Sequence, residues 1–261
     1  MRILAIGDIV AEEGREYIYN NLQRIRDKYH VDFCIANGEN AANQNGITME
    51  IAQTLYERGV DVITLGNHTF ANRDAERALE ELPYLIRPLN YPPETEGMGY
   101  TIQDTGTVRI GVINLLGRVN MTPVDCPFRA VDRALEKMDA DIVLVDMHAE
   151  ATSERIAMAH YLDGRVSAVF GTHTHVQTAD ERILPGGTGF IADLGMTGVE
   201  ASVLGVRKDI ILDFYLKTGK RFRFEKAEGE VLFHGCIFDI DVTSGKTTAV
   251  ERLRFSNLGG H

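Results

Sequence analysis

Asp61-Val62-Ile63-Thr64-Leu65-Gly66-Asn67-His68 decides the fold: a short, mostly apolar run breaks at a glycine and delivers two side chains with chemistry to offer. The same grammar returns at Val166-Ser167-Ala168-Val169-Phe170, which passes through Gly171 into Thr172-His173-Thr174-His175. Three further runs end alike. Ile3 to Gly7 delivers Asp8, Phe33 to Asn37 delivers Glu39-Asn40, and Ile142 to Asp146 delivers His148. Candidate ligands for a divalent metal therefore leave the carboxyl ends of five predicted strands, the edge where open α/β sheets place their sites.

Outward from these runs, strand and helix patterns alternate through the first 170 residues. Tyr17, Ile18, Leu22 and Ile25 set a helical period over Glu12 to Tyr29. Thr48 is placed to cap a helix from Met49 to Arg58 that Gly59 stops, and Asn72 to cap one from Arg73 to Leu82 before Pro83. Tyr100 to Leu115 reads as a hairpin around Thr105-Gly106, and helices are expected at Pro127 to Met138 and Thr152 to Leu162. Beyond His175 the chain turns β-rich. Strands are predicted at Arg182 to Leu184, Gly189 to Ala192, Phe222 to Glu225, Glu230 to Val242 and Thr247 to Phe255, with a helix from Arg207 to Leu216 and a frayed tail from Ser256 to His261. A mostly parallel sheet followed by β-rich structure implies two sheets packed face to face with helices outside. With no repeat or linker, the 261 residues read as a single domain, 1–261.

Composition narrows the class. A 44% hydrophobic and 25% charged chain is that of a soluble globular protein, and a net charge of -11 argues against duplex nucleic acid as a partner. No apolar stretch approaches the ~20 residues that span a bilayer. Cys34, Cys126 and Cys236 form no paired spacing, and Cys34 and Cys236 sit in apolar runs as small buried hydrophobes. Reduced thiols and an amino terminus that enters a strand directly give a cytoplasmic reading.

The side chains themselves specify chemistry. A carboxylate such as Glu39 has two oxygens and can bridge two cations, while Asn40 and Asn67 supply neutral oxygen and His148, His173 and His175 supply imidazole nitrogen. Asp8 offers a second carboxylate, or else a cap for the following helix. This mixed set suits manganese, iron or zinc better than calcium or magnesium. Two divalent ions bring about +4 and the two carboxylates remove 2, leaving charge to hold a hydroxide and attract phosphate. His68 stands beside Asn67 but points elsewhere, either as a proton donor to a leaving alkoxide or as a hydrogen-bonding support for the ligands. Thr243-Ser244-Gly245-Lys246-Thr247 imitates a phosphate-binding loop but lacks its first glycine and reads as a hairpin turn, as does Gly186-Gly187-Thr188-Gly189. His160 reads as a structural hydrogen bonder. Asn43, Asn114 and the Gly117 to Met121 loop are further positions that could meet a substrate.

Gly66-Asn67-His68, the lone His148 and His173-x-His175 resemble the calcineurin-like metallophosphoesterase superfamily. The chain departs from its pattern where Asp8 is followed by Ile9-Val10, so that the histidine of an Asp-x-His motif is missing. It departs again where Gly38-Glu39-Asn40 replaces a Gly-Asp motif, and where Thr69 replaces an acid. Those departures are shared with the YmdB-like branch, which the Asn37 to Ala42 tract and Asp193-Leu194-Gly195-Met196-Thr197-Gly198 also resemble. The resemblance implies a four-layer αββα sandwich of two mixed β-sheets. It implies Asp8, Glu39, Asn40 and His175 around one ion and Glu39, Asn67, His148 and His173 around the other, with iron or manganese as the metals. It further implies His68 as proton donor and activity on 2′,3′-cyclic nucleotides. The leading expectation is thus a dinuclear-metal phosphodiesterase for small phosphodiesters, in which a metal-bridging hydroxide attacks phosphorus. A phosphomonoesterase, or a regulatory phosphate-binding protein with little turnover, are the alternatives. Homo-oligomerisation is an expectation drawn from the β-rich segments after residue 180.

Overall fold

The computed structural model describes residues 1–43, 45–217, 223 and 225–256. Of the predicted strand at Phe222 to Glu225, Phe222 and Phe224 lie outside them while Arg223 and Glu225 are described and belong to no strand; the tail beyond Ser256 lies outside as well. Strands β1 (Arg2–Ile6), β2 (Asp8–Ile9), β3 (Phe33–Asn37), β4 (Val62–Thr64) and β5 (Leu85–Ile86) alternate with helices α1 (Ala11–Tyr29), α2 (Met49–Glu57) and α3 (Ala75–Glu81). The hairpin β6 (Tyr100–Asp104) and β7 (Arg109–Leu116) follows, then α4 (Pro127–Leu135), β8 (Ile142–His148), α5 (Thr152–Leu162) and β9 (Ala168–Thr172). The last third holds β10 (Arg182–Ile183), β11 (Gly189–Ile191), β12 (Met196–Val199), α6 (Lys208–Leu216), β13 (Val231–Ile240) and β14 (Thr247–Phe255).

These strands make two mixed sheets. The first runs β2-β12-β13-β1-β3-β4-β5, with β14 also on β13, and the second β10-β11-β9-β8-β7-β6. β1, β3 and β4 are parallel, as are β7, β8 and β9, so their carboxyl ends point the same way within each sheet. Period-two alternation sends Ile3, Ala5, Phe33, Ile35 and Val62 of one sheet against Ile110, Val112, Leu144, Ala168 and Phe170 of the other. The opposite faces are covered separately. Ile18, Leu22 and Ile25 of α1, with Ala52 and Leu55 of α2 and Ala78 and Leu79 of α3, lie on the first sheet. Ala130, Val131 and Ala134 of α4 and Met158, Ala159 and Leu162 of α5 lie on the second. The layers are therefore helix, sheet, sheet, helix, as the resemblance implied. Among the described residues no helix is long and apolar enough to cross a membrane.

Local signals mostly hold. The Thr48 hydroxyl accepts the Ile51 N–H at 3.2 Å and caps α2, and Cys34 and Cys236 are buried. Two helix expectations are corrected. Asn72 does not cap a helix at Arg73: its Oδ1 takes the Asp74 N–H at 3.0 Å in a turn, while the Asp74 carboxylate serves the Met49 N–H of α2 at 2.7 Å. α3 therefore starts at Ala75. α4 ends at Leu135 rather than Met138 because Lys137 and Met138 donate back three residues, to Ala134 and Leu135, tightening the chain into a turn.

Candidate metal centre

The two sheets meet the site from opposite sides. β1 and β3 end at Asp8 and Glu39-Asn40, β4 at Asn67-His68, and β8 and β9 at His148 and His173 to His175, so each sheet contributes half of the cluster. Asp8 itself lies in β2, a two-residue strand parallel to β12, and does not cap α1.

Glu39 is the centre. It is buried, its Oε1 lies 3.1 Å from His148 Nε2 and 3.3 Å from the Asn40 amide, and its Oε2 accepts the His68 N–H at 2.9 Å. On one side, His148 Nε2 lies 2.9 Å from Asn67 Oδ1 and 3.1 Å from His173 Nδ1. On the other, His175 Nε2 lies 3.2 Å from the Asn40 amide nitrogen and 3.6 Å from Asp8 Oδ1, while Asp8 Oδ2 accepts the His173 N–H at 3.1 Å. All seven expected ligands are thus brought together.

The lone pairs are aimed by their supports. Thr172 Oγ1 donates to Asp146 Oδ1 at 2.7 Å, so it can only accept from His148 Nδ1, 2.9 Å away. His148 Nδ1 therefore carries a proton and Nε2 faces the cluster. Thr64 Oγ1 donates to the other Asp146 oxygen at 2.5 Å. His175 Nδ1 is likewise taken by the Leu204 carbonyl at 3.2 Å, and His173 Nε2 by the Glu150 carboxylate at 3.0 Å. His173 and His175 hold this arrangement with φ of 111° and 62°, left-handed values that few non-glycine residues adopt.

A cation fits these residues. With its proton on Nδ1, neutral His148 turns a bare Nε2 toward Glu39, Asn67 and His173, and even a second proton there could satisfy just one of them; buried Asp8 Oδ1 has no hydrogen-bond partner among the described residues. Converging acceptors with too few protons are what a metal ion satisfies; Asn40 would meet it with its amide oxygen after a half-turn of the amide. Glu39, His148 and His173 alone bring their ligand atoms within 4.8 Å of one another. Burial works to lower His148, yet Glu39 overcomes it and lifts the imidazole to about 9. Burial likewise works to raise Asp8, but His175, His148 and the His173 N–H bring it down to about 2. Both shifts express one demand, positive charge beside two buried carboxylates.

Gly66 is the close-approach residue. A Cβ there would collide with His148 Nε2 and stand 2.5 Å from Glu39 Oε2. His68 is half-buried, and its ring makes no hydrogen bond among the described residues. Sequence reasoning missed the supports Asp146, Thr64, Thr172 and Glu150; the available signal was a carboxylate and two hydroxyls inside otherwise apolar strands. Asn114, expected near a substrate, is buried with its Oδ1 on the Leu65 N–H at 3.3 Å, so it braces the Gly66 turn instead. The Arg118 and Val119 N–H groups of the 117–121 loop are held by Glu154. His160 is exposed and forms no ring hydrogen bond among the described residues.

Comparison with known proteins gives one answer. Residues 4–253 match the model of the YmdB-like protein family. A 2′,3′-cyclic-nucleotide 2′-phosphodiesterase of Bacillus subtilis is 42% identical, covering 97% of this chain and 96% of its own length. The crystal structure of a novel phosphatase from Mycoplasma pneumoniae superposes with a TM-score of 0.92 at 34% identity, over 98% of this chain and 93% of that one. The NAD nucleotidase of Haemophilus influenzae shares the fold alone, with a TM-score of 0.58 at 14% identity over 98% of this chain and 56% of its own. The chain belongs to the YmdB-like protein family.

Proposed function

We propose that this phosphoesterase is a phosphodiesterase that opens 2′,3′-cyclic nucleotides at a two-cation centre, working as one domain in the cytoplasm. The observation that carries it is the shared position of Glu39 between two sets of lone pairs. Asp8, Asn40 and His175 flank it on one side, and Asn67, His148 and His173 on the other. Iron or manganese, with zinc as a third option, matches the nitrogen and oxygen donors. Bound there, two cations would acidify a water and neutralise charge on the phosphoryl oxygens.

The protein supplies the rest. A cleft of about 360 Å³ opens from Asn40 and His175 and is lined by Val10, Asn43, Leu204 and Arg223, a mixture of apolar and polar walls suited to a nucleoside. The free ring of His68 delivers a proton to the departing ribose oxygen. The B. subtilis relative's name supports the diester reading, and the M. pneumoniae structure's description as a phosphatase supports a monoester alternative. Comparing an aryl phosphodiester with its monoester separates the two; preference for the monoester would overturn the proposal. His68→Ala is expected to keep two metals per chain while losing 10²–10⁴ in kcat, on the order of general acid catalysis. Loss of metal in that variant would reassign His68 to the ligand set. Self-association is supported by α6, in which no residue is buried although Leu212, Phe214 and Leu216 face outward, and sedimentation measures it.

A further inference from the structure

A second cleft, of about 390 Å³, backs onto the first and shares with it only His175 and Leu204. Val176 and Gln177, which follow His175 in the chain, form one wall. Its floor is sheet: Leu232 and His234 of β13 beside Arg252 and Arg254 of β14. His234 stands directly across from Arg254, and Arg252 and Arg254, two apart, share one face of their strand.

Two buried polar atoms on residues that line this cleft have no hydrogen-bond partner among the described residues, His234 Nε2 and Gln177 Oε1. Their characters are fixed by what the rest of each side chain does. His234 Nδ1 accepts the Met196 N–H at 3.3 Å, so Nε2 is the protonated donor. The Gln177 amide nitrogen donates to the carbonyls of Gly235 and Leu253 at 3.0 and 3.1 Å, so Oε1 is an acceptor. Among the described residues each guanidinium makes a single ion pair, Arg252 to Glu181 at 3.3 Å and Arg254 to Glu200, which also lines the cleft, at 3.7 Å, and each has several N–H groups to spare. A ligand for this cleft is anionic, offers phosphate oxygens to a ring N–H and two guanidiniums, and carries a hydroxyl for the amide oxygen. A ribose phosphate has each of these groups.

We infer that the second cleft binds the ribose–phosphate unit on the 5′ side of the reacting nucleotide, so that the favoured substrate is a short oligoribonucleotide ending in a 2′,3′-cyclic phosphate. This rests on the proposed function. A cyclic mononucleotide carries both ester oxygens on one ribose and fills the first cleft alone; only a 5′ extension reaches past His175. Water adds to phosphorus, one ribose P–O bond breaks, and the freed ribose oxygen takes the proton, leaving a terminal phosphomonoester. The reaction that supplies such ends is RNA cleavage by attack of a 2′-hydroxyl on its neighbouring phosphate. The net charge of -11 restricts binding to short chains.

The test compares kcat/KM of the metal-loaded protein for a cyclic mononucleotide and for a dinucleotide with the same cyclic end. The dinucleotide is expected to be favoured about tenfold, the scale of one charge-assisted contact. In the double variant Arg252→Gln, Arg254→Gln that ratio is expected to fall close to one. Equal rates in the natural protein, or a preference that survives the double substitution, would overturn the inference. Failure to hydrolyse either cyclic compound would instead overturn the proposed function, so the two failures are distinguishable.

Discussion

At the scale of single residues, the site is organised by contacts that hold one ring nitrogen of His148, His173 and His175 and turn the other toward the cluster. Thr172 is the sharpest case: its hydroxyl links the His148 ring to the Asp146 carboxylate, both fully buried. Thr172→Val keeps the shape and removes the link. The variant is expected to bind metal 10–100-fold more weakly, the usual cost of losing a support behind a ligand, while its circular dichroism stays that of the natural protein. Titration against a competing chelator measures it, and undiminished affinity would deny the relay its role. His234 makes a second, independent prediction. Burial, reinforced by Arg254 and Arg252, lowers its imidazole to about 4. The unfolded ring takes its proton at about 6.5, so between these values acid favours the unfolded chain. The stability is complete above pH 6.5 and falls as pH drops to 4, by up to about 3 kcal/mol. Urea midpoints across that range, compared with His234→Gln, should show a shallower acid slope in the variant; identical slopes would remove His234 as the cause.

At the scale of elements, the loop after β9 depends on a buried ion pair. Asp193 Oδ2 accepts from Arg155 at 2.5 Å, from Thr174 N–H at 3.1 Å and from Thr174 Oγ1 at 2.7 Å, between the two left-handed histidines. Arg155 also donates to the carbonyls of Ala192 at 2.7 Å and Glu150 at 3.1 Å, tying in the residue that holds His173. Asp193→Asn leaves a buried guanidinium without its counter-charge, a loss of about 3–5 kcal/mol, and should loosen metal binding through His173 and His175. Thr174→Ala removes one hydroxyl bond only and tests the loop without the charge: weaker metal binding with little change in melting would confirm that the carboxylate orders it. None of this was legible in the sequence, because Arg155 and Asp193 are 38 residues apart and meet only after folding. The regular elements were legible, since β1, β3, β8 and α1 carry whole periods of apolar residues. β2, β5 and β12 were not, because two to four residues are too few to show a period, and their pairing is set by partners distant in the chain. The proposed ligands could be gathered from the sequence because each follows a long run at a glycine or strand end; the side chains that support them lie inside the runs, where a polar residue looks like an interruption.

At the scale of the molecule, two sheets that pack on a common apolar interior converge their strand ends on buried acid. Asp8 and Glu39 are almost fully buried, and three imidazoles stand against them. On the proposed reading such an arrangement binds cations in the folded chain and has no equivalent in the unfolded one, so metal is expected to stabilise the fold by mass action. At a thousandfold excess over the dissociation constant each site contributes about 4 kcal/mol. For a chain of this size that is on the order of 10 °C in Tm. Chelation is therefore expected to lower Tm by about that much per site and to abolish turnover, with both restored by added manganese or iron. The decisive comparison is Glu39→Gln, which keeps the shape but loses the charge shared by the two halves of the cluster. Its Tm should respond little to chelator, because neither half then binds well alone. If that variant instead keeps half of the chelator response, the halves bind independently, and Glu39 is a ligand to one cation rather than the joint of a pair.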